Sequence, residues 1–207
     1  MGKIRFLLLS FLIAGAFTFS HACRAAENTP PAAAFMQKLG DAAVMYLTSG
    51  RIPETEKSER LRTLFREGFD IQTIGRFVMG KHWQEASEDQ RREFLILFED
   101  KIVQTYQDRL TDDPVKSFTI LGATPADKDS QDSFVNSLIV GSSDPQPTKV
   151  TWRVRLKEGQ MKIVDVLVNG ISESITQRSD FDSVIMNGGG NVEALLASLR
   201  QSRRLSQ

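Results

Sequence analysis

Cysteine and histidine are nearly absent: the 207 residues contain one cysteine, Cys23, and two histidines, His21 and His82. One thiol cannot build a disulfide framework or a thiolate metal cluster. Charge of either sign is not in excess, with 26 basic and 26 acidic side chains. No polybasic tail or patch interrupts the chain, which argues against nucleic acid as a partner. Long apolar stretches are missing beyond residue 19, so nothing after that point is expected to span a membrane and the bulk of the chain should dissolve in water.

The one apolar run lies at the start. Lys3 and Arg5 form a short basic region, and residues Phe6 to Phe19 follow as a run of 14. A membrane-spanning helix needs about 20 apolar residues, and Ser20 and His21 lead into small residues instead of a basic flank. Residues 1–25 therefore read as a cleaved export signal, cut after Ala25 or one residue later. The alternative is a lipoprotein with Cys23 as its lipidated first residue, but Ser20-His21-Ala22 lacks the leucine usual upstream of such a cysteine. Cleavage would remove Cys23, Lys3, Arg5 and Arg24. It would leave a thiol-free chain of about 182 residues with 23 basic and 26 acidic side chains. That length most simply makes one domain with a substantial core.

The Pro- and Ala-rich residues 26–34 read as a flexible arm, residues 35–200 as a single α+β domain, and residues 201–207 as a frayed tail. Phe35, Leu39, Ala42, Ala43 and Tyr46 recur at helical spacing up to a break at Gly50. A second helix opens at Pro53, carries Leu61, Leu64 and Phe65, and stops at Gly68; a third, capped by Asp70, ends at Gly80. Ser87-Glu88-Asp89-Gln90 is a capping box. It starts a long helix whose apolar face runs through Phe94, Leu97, Phe98, Ile102, Tyr106 and Leu110 to Asp112-Asp113-Pro114.

From Val115 to Asn169 the period changes to that of strands, with breaks at Asp127–Ser130, Ser142–Pro147 and Glu158-Gly159. This gives four strands, expected to form a curved antiparallel sheet packed against the helices. Val150, Trp152, Val154 and Leu156 alternate with polar residues, and Lys157-Glu158-Gly159-Gln160 fits a tight hairpin. After Gly170 helical spacing returns through Ile171, Ile175, Phe181, Val184 and Ile185, and Asn191 caps a last helix after Gly188-Gly189-Gly190.

Reactive constellations are sparse. His82 has no neighbouring nucleophile and reads as a packing or surface residue. Gly170-Ile171-Ser172-Glu173-Ser174 approaches the G-x-S-x-G elbow, but Ser174 occupies the closing glycine, and Ser172 reads as a helix cap. The glycine triplet has no following Lys-Ser/Thr and is not a phosphate-binding P-loop. No catalytic residue and no metal ligand is assigned. What the sequence does hold is large apolar side chains on both halves. The helix face from Phe94 to Tyr106 and the strand face through Trp152, Val154, Val166 and Val168 either meet in a filled core or enclose a dry cavity, and pattern alone leaves both open.

The order of motifs is distinctive. Ile74-Gly75-Arg76-Phe77-Val78-Met79-Gly80-Lys81-His82-Trp83, Ala86-Ser87-Glu88-Asp89-Gln90-Arg91 and Tyr106-Gln107-Asp108-Arg109-Leu110 stand in the helical part. Lys162 to Ser172, Arg178, Phe181 and Gly188-Gly189 follow the strands. Together they resemble the MlaC family over roughly residues 35 to 200. Two positions depart from the family pattern: Gln177 stands where a tyrosine is common and His82 where an aromatic is common.

The resemblance implies a nuclear-transport-factor-2-like fold and a periplasmic phospholipid carrier. Such a carrier is monomeric, has no cofactor beyond its lipid cargo, and serves an inner-membrane ABC transporter with an MCE subunit and an outer-membrane lipoprotein complex. The Ile74–Val78 stretch is similar to a hopanoid-associated subgroup, which implies a polycyclic lipid as the alternative cargo. On this reading the candidate lipid-binding residues are Phe94, Phe98, Ile102 and Tyr106 on the long helix, Trp152, Val154, Val166 and Val168 on the sheet, and Ile171 and Ile175 on the terminal helix. Arg153, Arg155 and Arg178 are the candidates for a headgroup at the mouth. The rival readings are an enzyme of the same general fold, built on His82 and Asp165, and a lipid-free adaptor that binds protein partners.

Overall fold

The computed structural model describes residues 30–48, 52–128 and 130–205; the expected export signal, Cys23 and the Gly50 break lie outside them. Five helices come first: α1 (Pro31–Thr48), α2 (Glu54–Gly68), α3 (Ile71–Met79), the single turn α4 (His82–Glu85) and α5 (Glu88–Asp112). Strands β1 (Val115–Pro125), β2 (Asp132–Gly141), β3 (Thr148–Lys157), β4 (Gln160–Val168) and the two-residue β5 (Ile171–Ser172) follow, then α6 (Glu173–Asn187) and α7 (Val192–Leu205).

The helix ends are set by local chemistry. Asp70 accepts the Thr73 amide at 2.9 Å, and Ser87 and Gln90 close a complete capping box. Ser172 accepts the Ile175 amide at 3.1 Å. Gly80 leaves α3 at φ 56°, a left-handed position suited to glycine. The structure departs from expectation at both ends of the domain. Pro31 to Ala34 form the first turn of α1, where a proline costs no hydrogen bond, and Ala32 and Ala33 are buried. Residues up to Leu205 continue α7.

The five strands form an antiparallel meander in the order β1-β2-β3-β4-β5. Glu158 and Gly159, both at positive φ, make the two-residue turn between β3 and β4. Three extra residues bulge the ladder: Lys116 and Leu121 on β1 and Val164 on β4. Bulges bend and twist the strand that carries them, so the meander curves around what it covers. Its inner face carries Phe118 and Ile120 on β1, Val135 and Ser137 on β2, Val150, Trp152 and Val154 on β3, and Ile163, Val166 and Val168 on β4.

Two apolar clusters result. One is wholly helical: Ile74 and Val78 of α3, Phe94, Leu97 and Phe98 of α5, Phe181 and Ile185 of α6, and Leu195, Leu196 and Leu199 of α7. The other joins the inner sheet face to Ala32, Ala33 and Met36 of α1. Phe69, between α2 and α3, packs against both. It is pinned where the Asp70 amide donates to the Ile163 carbonyl at 3.0 Å. With 25 residues, α5 is about 37 Å long and reaches from the first cluster to the edge of the second.

Candidate functional site

A stripe of α1, Met36, Leu39, Gly40, Ala43 and Val44, faces the inner side of the sheet without filling the space between them. Leu61, Leu64 and Phe65 of α2, Phe69, and Tyr106 and Leu110 near the end of α5 close the sides. Phe118, Ile139, Val150, Trp152, Val166 and Val168 form the floor. The result is a cavity of about 570 Å³, within the range of small-molecule sites. Spacing of three and four residues along α1 and α2, and of two along the strands, puts all these side chains on one surface.

Its walls are held from behind. Gly40 lets α1 approach the Phe118 ring so closely that a Cβ there would lie 2.3 Å from it. The Trp152 indole donates to Ser137 Oγ at 2.9 Å, and that hydroxyl donates to the Val150 carbonyl at 3.1 Å. Ser137 is fully buried, so an apolar floor is oriented by one satisfied polar group. Phe65 packs on Phe69 and Tyr106, with ring centroids 4.9 and 5.2 Å apart. Burial, assisted by the Glu173 carboxylate, raises the Tyr106 phenol above its ordinary range and keeps it neutral.

Tyr106 and Phe69 also line a smaller void of about 100 Å³ beside the first, together with Phe98, Ile102, Lys101, Asp165 and Glu173. Of the residues that line the main cavity, Arg109 and Asp112 alone are exposed, and they mark its mouth.

The candidates read from the sequence divide accordingly. Tyr106, Trp152, Val166 and Val168 stand on the cavity wall. Phe98 and Ile102 border the smaller void. Phe94 is fully buried in the helical cluster, stacked on Phe98 and edge-on to Phe181, because the first half of α5 faces α3, α6 and α7 and not the sheet. Val154 lies in the packed end of the sheet cluster with Ile163 opposite it.

Ile171 belongs to β5 instead of a helix, and both it and Ile175 point to solvent, 65% and 63% exposed. Arg153 and Arg155 alternate with Trp152 and Val154 and so stand on the outer face of the sheet. Both donate to the buried Asp132 carboxylate at 2.6 Å. The bond from Arg155, against burial and with help from Arg153, holds Asp132 below the usual carboxylate range. Arg178 stacks over Phe77, 5.3 Å from its centroid, beside Gly80 and away from the cavity. Leu39, Ala43, Leu61, Leu64 and Phe65 were legible as apolar helix positions but not as cavity lining, and Arg109 was not assigned to the site, although it follows Tyr106 by three residues and therefore shares its helix face.

The polar groups named for an enzymatic reading are engaged structurally. His82 is buried, with Nδ1 2.8 Å from Glu85 Oε2 and Nε2 2.7 Å from Asp182 Oδ1, which ties α4 to α6. Asp165 accepts from the Ser172 hydroxyl at 2.7 Å and from the amides of Val166 and Ser174 at 2.9 and 3.2 Å, holding the junction of β4, β5 and α6. Among the described residues no group of three or more His, Cys, Asp or Glu side chains is placed to hold a metal ion, and no helix is long and apolar enough to cross a membrane.

No curated protein matches the chain in sequence. The fold is similar to that of the phospholipid-binding protein from Ralstonia solanacearum, solved in complex with a phospholipid at 1.53 Å. The two are 20% identical, superpose with a TM-score of 0.69, and the match covers 84% of this chain and 98% of the other. The family model for the MlaC protein matches residues 39–201, from within α1 to within α7. By that match the chain belongs to the MlaC family.

Proposed function

We propose that this protein is a periplasmic carrier that encloses the acyl chains of a phospholipid in the cavity between α1, α2, the end of α5 and the sheet. It would carry that lipid between an outer-membrane lipoprotein complex and an inner-membrane ABC-type transporter. The observation that carries the reading is the cavity itself: about 570 Å³, walled almost entirely by aliphatic and aromatic side chains and open at one charged rim. Each methylene exposed to water costs about 0.8 kcal/mol, so two chains of ordinary length would cost on the order of 20 kcal/mol to move unprotected. An apolar cavity removes that barrier, stays dry when empty and is stabilised by what fills it.

Family membership and the phospholipid in the Ralstonia solanacearum relative favour this over an enzyme; the ATP-driven work would fall to the transporter. The test is native mass spectrometry of the protein purified from periplasm without detergent, followed by lipid extraction. The expected result is a co-purified lipid near one equivalent, with its identity separating phospholipid from hopanoid. Empty protein that stays empty after incubation with vesicles would move the assignment to an adaptor.

A further inference from the structure

The mouth of the cavity carries two opposite charges that meet no ion-pair partner among the described residues. Arg109 is exposed, lines both the main cavity and the smaller void, and lies 5.9 Å from the Tyr106 ring centroid. It forms no ion pair among the described residues, unlike Arg62, Arg153, Arg155 and Arg200, each of which meets a carboxylate. No other lining residue of the main cavity is cationic. Asp112 follows one helical turn later and also has no partner among the described residues. Asp113, by contrast, is occupied by the Ser143 amide at 2.7 Å. Asp112 is the last residue of α5, where the partial negative charge of the helix end adds to its own and favours a cation.

We propose that this rim selects a zwitterionic phospholipid, with the phosphate on the Arg109 guanidinium and the ammonium group of an ethanolamine- or choline-type headgroup against Asp112 and the end of α5. The inference rests on the carrier reading and adds the headgroup to it. A guanidinium offers a planar pair of donors suited to phosphate oxygens. A phosphatidylglycerol headgroup brings the same phosphate but no cation for Asp112, so one of the two rim contacts is lost. Placing anion acceptor and cation acceptor on successive turns of one helix also fixes which way the headgroup lies across the mouth.

The experiment loads the full protein from vesicles of phosphatidylethanolamine, phosphatidylglycerol or diacylglycerol in a neutral phosphatidylcholine-free carrier lipid, with uptake read by extraction and mass spectrometry. The wild type is expected to take phosphatidylethanolamine about fivefold over phosphatidylglycerol, as befits contacts open to solvent. Arg109→Gln should lower both phospholipids by a similar factor and leave diacylglycerol, which has no phosphate, unchanged. Asp112→Asn should remove the preference between the two phospholipids. Both side chains are exposed, and unchanged circular dichroism spectra would verify that the variants fold. Equal loading of all three lipids by the wild type and both variants overturns the headgroup assignment while leaving the carrier intact. Failure to load even diacylglycerol sinks the carrier reading and this inference with it.

Discussion

The two ends of α5 live in different worlds. At its first half Phe94 and Phe98 stack on each other and meet Phe181 edge-on, and the helical cluster around them is closed by α7. At its second half Tyr106 and Leu110 face a space left open between α1 and the sheet. Both halves are apolar, and both use the same helix spacing. The difference lies in what stands opposite. Three helices can interdigitate side chains with the first half, whereas a sheet curved by bulges and an α1 that touches the sheet closely at Gly40 and Phe118 leave room beside that contact at the second. A packed core stabilises the fold; an unfilled one is a place for cargo.

The sharpest way to break this comparison is to truncate one large ring on each side. Phe94→Ala should cost about 3–5 kcal/mol in denaturant unfolding, the usual penalty for emptying a filled aromatic site. Trp152→Ala should cost less, because one side of that ring already borders open space, but should reduce lipid loading severalfold. Equal stability losses and equal loading would mean that the two halves do not differ in kind.

Filling the cavity is the converse experiment. Ala43→Phe on the α1 stripe should cut lipid loading by about tenfold or more while stability holds or rises by about 0.5–1 kcal/mol, as cavity-filling changes do. Undiminished loading would place the cargo elsewhere.

On the outer face of the sheet, Asp132→Asn should cost about 2 kcal/mol at neutral pH through the lost charge-assisted bonds to Arg155 and Arg153. Because the folded-state pKa is depressed, the wild-type advantage is complete above the unfolded value of about 4. It fades as pH falls through the lower folded value, so the two stability curves should converge in acid. Loading should not change, since this pair stands on the side of the sheet away from the cavity. At His82 and Asp165 only a small effect on cargo is expected. Alanine at either position should leave loading within a few fold, although loss of their helix-tying bonds lowers stability; abolished loading would revive the enzymatic reading.

Much of this architecture was legible because it is local. Asp70, the Ser87 capping box, Ser172 and the Glu158-Gly159 turn each declare themselves within four residues, and the alternation of Trp152 and Val154 with arginines marked the two faces of β3. The cavity was legible only in part. Tyr106, Trp152, Val166 and Val168 stand on its wall, but Phe94 shares the helix period of Tyr106 and belongs to the packed half, with Phe98 between them at the smaller void. Periodicity reports which face of an element is apolar, not which neighbour covers it. Ser137 reads as a polar strand residue until Trp152 is seen above it. Ile171 and Ile175 read as lipid-binding residues, yet both stand at the surface after the turn at Asn169-Gly170. The closeness of Gly40 to Phe118, which sets the width of the cavity, joins residues almost eighty apart in the chain.

Acyl chains in the α1–sheet space, and not in the helical half, are what distinguishes a carrier built this way. A phospholipid with a photoreactive diazirine midway along one acyl chain, loaded from vesicles and irradiated, reports this directly by peptide mass spectrometry. Adducts are expected on the α1 stripe, on Leu61 or Leu64, and on Trp152 or Val168. Adducts concentrated on Phe181, Leu195 or Leu196, or spread over the exposed Ile171 and Ile175, would contradict that placement.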